Sequence, residues 1–262
     1  MRSNRSITCL TRLQFNVLTR RLCFAGLCVS LLTCVIVAPS NAQAVKRRAL
    51  TGRNVAVVVD ERLAALRSEP TLSAPLTRRL GRGRVVTITG TRRTADGVTF
   101  HRVALTRRTR GWLQAESVAS PFRAGDDVRL LNLIRASEEF DRIARARIFL
   151  DAFTNSPLRS AVLMLYGEAA EASAEKLSRE AERRLDDGEM RANGAPAHSY
   201  FLNYAGLDRF NRAGVKFTFD RATKRFHYDG ASWREILRRH PRSAESAPAR
   251  QHLASLSVRP VR

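Results

Sequence analysis

The chain has 262 residues, with 46 Lys and Arg against 24 Asp and Glu, and a formal net charge of +22. Its four cysteines, Cys9, Cys23, Cys28 and Cys34, all fall within the first 44 residues. The rest of the chain therefore has no disulfide framework, no thiol nucleophile and no cysteine metal site.

Residues 1–44 carry Arg2, Arg5, Arg12, Arg20 and Arg21 and no acid. An apolar run follows from Leu22 to Val37, and small residues then lead to Ala44. This order predicts a secretory signal peptide cleaved after Ala44, and hence a secreted or periplasmic protein. The run spans about sixteen residues, short of the about 20 that a membrane span needs. No transmembrane segment is expected after cleavage; the alternative is an uncleaved N-terminal anchor. Arg20-Arg21 lacks the aromatic residue that a twin-arginine signal has two places on, because Cys23 stands there. Leu27 and Thr33 are too bulky before Cys28 and Cys34 for a lipoprotein box.

Past Ala44 the chain holds 41 basic and 24 acidic side chains, a net +17. Residues 45–120 carry +11 of this and residues 121–262 carry +6. All but four of the basic residues are arginine. That bias has two readings: a GC-rich coding sequence, or attraction to anionic surfaces such as acidic wall polymers, lipid headgroups or nucleic acid. Export favours the first two surfaces, and no specific nucleic acid is expected as partner.

Residues 45–53 read as a basic linker around Lys46-Arg47-Arg48. Short apolar runs broken by Gly, Pro, Ser and Asp then continue to Ser120, the pattern of a small antiparallel barrel over residues 54–120. Asn54 to Val59 is the first strand. Ser68-Glu69-Pro70 is a turn, Val85 to Ile88 a strand, and Ala95-Asp96-Gly97 a hairpin turn, since Asp-Gly tolerates positive φ. Val98 to Val103 and Arg110 to Leu113 are the last strands. Leu66-Arg67, Pro70, Ser73-Ala74-Pro75, Gly83 to Val86 and Gly111-Trp112-Leu113 match the landmarks of the bacterial SH3 domain, which this quarter of the chain resembles. It departs from that family in extra residues between Thr91 and Gly97. The resemblance implies a small β-barrel that recognises a peptide or a peptidoglycan stem. The residues that would contact such a ligand are Trp112, Phe100 and Arg110, with the indole and a guanidinium sharing a ligand face. The alternative is that Trp112 fills the barrel floor, since small barrels need a large aromatic inside.

Ser120 to Gly125 marks a boundary, and beyond it the apolar period changes from two to 3.6. Asp126-Asp127 suits a helix start. Val128, Leu131 and Ile134 form one apolar stripe; Ile143, Ala146, Leu150 and Phe153 form a second. Asn155-Ser156-Pro157 stops that helix and opens a third, striped by Val162, Leu165, Tyr166 and Ala169. Ala174, Leu177, Ala181 and Leu185 predict a fourth, ended by Asp186-Asp187-Gly188. Tyr200, Phe201, Tyr204, Leu207 and Phe210 form an aromatic helical face expected to be core. Val215 to Tyr228 alternates around Asp220-Arg221-Ala222-Thr223 and reads as a β-hairpin. Asp229 or Ser232 caps the next helix, and Ser232 with Glu235 fits a capping box. A start at Ser246 places Pro248 harmlessly in a first helical turn, with a fraying tail from Gln251. The paired helices, with Asn155-Ser156-Pro157 and the partial copy His240-Pro241-Arg242-Ser243, resemble tetratricopeptide-like helical repeats. That implies a protein-binding helical domain over residues 126–256; an irregular bundle is the alternative.

Motifs for chemistry are missing. His101, His198, His227, His240 and His252 show no zinc-ligand spacing. There is no G-x-S-x-G elbow, S-x-x-K motif or Walker loop. Gly81-Arg82-Gly83 is a turn rather than a phosphate loop. Neither a catalytic residue, a metal nor a cofactor is assigned. The expected fold is thus α+β and multidomain: a small SH3-like barrel, then a mainly helical repeat-like bundle with a hairpin at 215–228. The expected function is an exported, non-enzymatic scaffold whose partners are cell-wall peptidoglycan, an envelope protein or an acidic polymer. The alternative is a part in cell-wall hydrolysis, with a dispersed centre drawn from Glu168, Asp208, His198 or His227.

Overall fold

The computed structural model describes residues 52–184, 205–220 and 223–257. The predicted signal, Lys46-Arg47-Arg48, Asp186-Asp187-Gly188, His198, Tyr200, Phe201, Tyr204 and Arg221-Ala222 lie outside them. The fold is α+β: a seven-stranded antiparallel sheet, then helices and a two-stranded hairpin. The strands are β1 (Val55–Val58), β2 (Ala65–Arg67), β3 (Leu76–Arg79), β4 (Val85–Arg93), β5 (Thr99–Ala104), β6 (Arg110–Gln114) and β7 (Val118–Ala119), in spatial order β3-β2-β6-β5-β4-β1-β7. Gly97, at φ +79°, makes the β4–β5 turn, where the Gly97 and Thr94 amides bond to the Thr94 and Val98 carbonyls.

Alternation gives the sheet its core. Leu66, Val86, Val103, Leu113 and Val118 are buried together with Ala56 and Val58 of β1. No aromatic side chain fills this core, so the expectation that Trp112 forms its floor does not hold; Trp112 points to the opposite face from Leu113 and is only half-buried. Strand β1 is unusual. Its Ala56 and Val58 face the sheet core, while Val57, with Val59 just beyond, packs among the helices. The unbroken apolar run Val55–Val59 is the signature of a strand covered on both sides.

The helices are α1 (Asp126–Arg135), α2 (Glu139–Ala152), α3 (Arg159–Arg184), α4 (Ala205–Arg212), α5 (Ala231–Arg239) and α6 (Ser246–Ser257), with the hairpin β8 (Phe217–Asp220) and β9 (Arg225–Tyr228) between α4 and α5. Where the sequence suggests a third and a fourth helix, α3 runs unbroken for 26 residues. Neither proline nor a cap interrupts it, and Val162, Tyr166, Ala170, Ala174, Leu177 and Ala181 keep one buried stripe throughout. The hairpin docks on α3: the Phe226 amide donates to Ser178 Oγ at 2.8 Å and the Tyr228 amide to Glu171 Oε2 at 2.7 Å. Of the expected aromatic face, Leu207 and Phe210 are described and both are buried, with Phe210 packed edge to face against Phe140 and Phe217 at 5.2 and 5.4 Å. Ser232 does not form the expected capping box; the Ala231 amide donates to Asp229 Oδ1 instead, at 2.9 Å. The expected frayed tail is helical to Ser257, because His252 stacks on Trp233 at 4.5 Å and Leu253 and Leu256 lie against the core.

The sheet and the helices belong to one compact unit, residues 47–262. They meet at Arg145, which is 5% exposed. Its Nε donates to the Val59 carbonyl at 3.3 Å and its Nη1 to Ser137 Oγ at 2.6 Å. Asp60 lies 3.6 Å from Nη2 and Asp141 3.7 Å from Nη1. Arg82, in the β3–β4 turn, adds a 2.9 Å bond to Asp141 and approaches Glu61 at 3.6 Å. That bond holds the Asp141 carboxyl below its ordinary range.

Two substitutions test this packing. Arg145→Met keeps the bulk but leaves the Val59 carbonyl and Ser137 without their donor and Asp60 without its counter-charge. Urea unfolding is expected to show a loss of about 3–5 kcal/mol, the usual result of stripping one partner from a buried ion pair. A second position reads through its sign. A Cβ on Gly167 would lie 2.4 Å from Trp233 Nε1 and 2.6 Å from Ser232 Oγ, and Trp233 is buried with no room to yield. Gly167→Ala is expected to destabilise by about 1–3 kcal/mol. In an open helix the same change stabilises by about 1 kcal/mol, so a rise in melting temperature would contradict the close crossing of α3 and α5.

Candidate functional site

Cross-strand partners share a face, so the register defines a surface. Leu76 pairs with Arg67, Arg67 with Trp112, Trp112 with Arg102, and Arg102 with Gly90. These five residues form a row across β3, β2, β6, β5 and β4 on the face away from the sheet core. The half-buried indole thus stands between two arginines. A flanking row carries Phe100 opposite Gln114 and Arg92, and the other flank carries Arg110 opposite Ala104. Arg67 is held in place by a 2.6 Å bond from Nη1 to the Ala74 carbonyl. Gly111 allows β6 to approach β2: a Cβ there would meet the Arg67 carbonyl oxygen and Leu66 Cγ, each at 2.7 Å.

The charge on this face is uncompensated. Among the described residues, none of Arg67, Arg79, Arg92, Arg102 and Arg110 forms an ion pair. Two of the sheet's few acids, Asp60 and Glu61, are engaged by Arg145 and Arg82 at the helical junction. A flat apolar ring framed by guanidinium groups suits a ligand that offers both carboxylates and apolar surface.

The three residues selected from the sequence share this face but differ in access. Trp112 is half-buried and Arg110 is exposed, whereas Phe100 is only 1% exposed and is a packing residue. Arg67 and Arg102 are the members that sequence reasoning missed. Their place depends on the pairing of β2 and β5 with β6, although Arg102 could have been found from its spacing of two from Phe100.

Beside the sheet lies a polar hinge. His101 is buried on the core side, and its Nε2 accepts a 2.6 Å bond from Arg123 Nη1. Arginine can only donate, so Nε2 is unprotonated and the Nδ1 hydrogen faces Thr91 Oγ1 at 2.9 Å. Asp126 takes the Ser120 amide at 2.8 Å and pairs with Arg129 at 3.3 Å, and Arg129 reaches back to the Val118 and Glu116 carbonyls. This set ties the start of α1 to the end of the sheet.

The helical region offers shallower features. One cavity of about 270 Å³ is lined by Glu139, Arg142, Lys176, Arg179, Arg209 and Phe210, with Lys176 bonded to Glu139. Another, of about 580 Å³, lies between residues 121–127 and 152–157. Of the dispersed catalytic candidates, His227 contacts Glu171 at 3.1 Å and Glu168 lies 3.9 Å from His252. His198 and the Asp208 side chain are outside the described residues. Among the described residues no group of three or more His, Cys, Asp or Glu could hold a metal ion, and no helix is long and apolar enough to cross a membrane.

The hinge carries a pH signature. Burial first, and Arg123 second, lower the His101 pKa from its ordinary 6.5. The unfolded chain therefore binds this proton at a higher pH than the folded one. Stability from this site is complete above about pH 6.5 and is lost as pH falls from there through the lower pKa of the folded state. Melting temperature is expected to drop between pH 7 and pH 5, and His101→Gln should flatten the drop; an unaltered slope would refute this account of the hinge. As for known proteins, no family model matches the chain, and no curated protein or solved structure matches it.

Proposed function

We propose that this is an exported, non-enzymatic binding protein of the cell envelope. Its SH3-like sheet module takes a carboxylate-bearing wall or envelope peptide on the face around Trp112, and its helical region holds a protein partner. The observation that carries the reading is the half-buried indole set in register between Arg67 and Arg102, neither of which pairs with an acid among the described residues. The indole supplies area at low entropic cost, and the guanidinium groups supply bidentate bonds to carboxylates. The excess of arginine across the sheet also supports a plainer reading, unselective attraction to acidic polymers.

Co-sedimentation of the chain from residue 45 with insoluble wall material separates the two. Under specific recognition, Trp112→Ala weakens binding by about 30-fold, the effect of losing a 2 kcal/mol anchor, and Arg102→Ala weakens it by about tenfold. Binding that survives Trp112→Ala intact but collapses between 50 and about 200 mM salt would leave only the polymer reading. Clearing of wall material in a zymogram would replace both with a hydrolytic role.

A further inference from the structure

The two edges of the large sheet are built differently. Strand β7 has two residues, both buried, and its carbonyl at Val118 is taken by Arg129. Strand β3 is the opposite edge, and all four of its residues are exposed. Among the described residues its only strand partner is β2, and the pairing contains a register shift between Leu66 and Arg67.

That shift decides which backbone groups point outward. The Leu80 amide donates to the Ala64 carbonyl, and the Ser68 amide donates to the Pro75 carbonyl. Residues 80 and 75 are thus directed at β2. Alternation along an antiparallel pair then turns Arg79 and Leu76, the neighbours of these two, away from it. Thr77 and Arg78 form the bulge between them, both set against Leu66. Leu76 and Arg79 each present an N–H and a C=O to the open edge. Their side chains share the face of Arg67 and Ala65, which is the face of Trp112. Leu76 is 48% exposed and Leu72, just before the strand, 55%.

We infer that β3 is a docking edge that accepts an extended acidic peptide as an eighth strand, pairing with the outward groups of Leu76 and Arg79. The inference rests on the binding role proposed above for the Trp112 face, and it names how the ligand is held. Main-chain bonds to an edge strand give affinity, and side chains on alternate positions give selection. Here the selecting groups are Arg78 and Arg79, which have no acidic partner among the described residues. Arginine on an edge also guards against self-pairing: a second copy would bring Arg78 and Arg79 against their own kind. A strand with acidic side chains meets no such repulsion. Its apolar residues would cover Leu72 and Leu76, and residues on the shared face would run beside Arg67 toward the indole.

The probe is a blocked octapeptide of alternating Thr and Glu, with a Thr-Lys counterpart, added to the chain from residue 45. Amide hydrogen exchange and the Trp112 indole resonance are followed together by NMR. Pairing slows exchange at Leu76 and Arg79 by tenfold or more with the Glu peptide and not with the Lys peptide. Arg79→Pro, which removes an outward N–H, abolishes the protection at Leu76; Arg79→Gln, which removes only the charge, weakens binding but keeps the protection. An indole shift without protection at Leu76 and Arg79 overturns the edge pairing and leaves the Trp112 face as binding surface. Equal binding of the Lys peptide overturns the selection for acid. No response at either position overturns the inference outright, and wall co-sedimentation then decides the binding role by itself.

Discussion

A buried guanidinium joins the sheet to the helices. Burying a charge is unfavourable unless it is paired and hydrogen-bonded, and Arg145 donates to the Val59 carbonyl and Ser137 with the carboxylates of Asp60 and Asp141 within 4 Å. A lysine could not replace it, because only the planar fork donates in several fixed directions at once. The neighbouring Arg82 shares Asp141 and draws in Glu61. The arrangement has a second effect at a distance. The sheet segment is poor in acids, and two of those it has are placed at this junction. The outer face around Trp112 is left with arginines that nothing on the sheet neutralises. Docking and ligand attraction therefore stem from one distribution of charge.

Strand β1 is the structural counterpart of that contact. Its residues alternate between two cores, Ala56 and Val58 in one, Val57 and the following Val59 in the other. The strand is thus the common wall of sheet and helices, and Arg145 is bonded to the carbonyl at its end. This explains why the polar hinge of Ser120, Arg123, Asp126 and Arg129 is so fully bonded: it closes the same junction from the other terminus of the sheet. Main-chain groups where a sheet hands over to a helix have no ladder partners, and buried ones must be satisfied by side chains.

Much of the fold could be read in the chain. The strands β1, β4, β5 and β6, the Asp96-Gly97 turn and the hairpin after Val215 follow from local chemistry, because alternation and turn residues act over a few positions; β2, β3 and β7, of two to four residues each, are too short to show such a pattern. Helix ends were read less well. Of the two caps the sequence offers for α5, Asp229 takes the Ala231 amide and the capping box of Ser232 does not form, since a glycine at φ +76° turns the chain just before the helix; the tail is helical because of a stacking partner, Trp233, that sequence distance hides. The candidate site was half legible. Trp112 and Arg110 show as an aromatic and a cation two apart on a strand. Arg67 lies far off in sequence, and nothing local says that β2 will lie beside β6. Phe100 and Trp112 look equivalent as aromatics in strands. Only the packed structure separates a covered ring from an accessible one.

The shared wall also bears on any attempt to divide the molecule. Cutting after residue 120 would strip the cover from Val57, Val59 and Ala119 and leave Asp60 without its buried cation. The severed piece would acquire a greasy strip next to a stray carboxylate, a surface that the intact molecule never shows. Whatever such a piece adhered to would report on the wound rather than on the natural ligand.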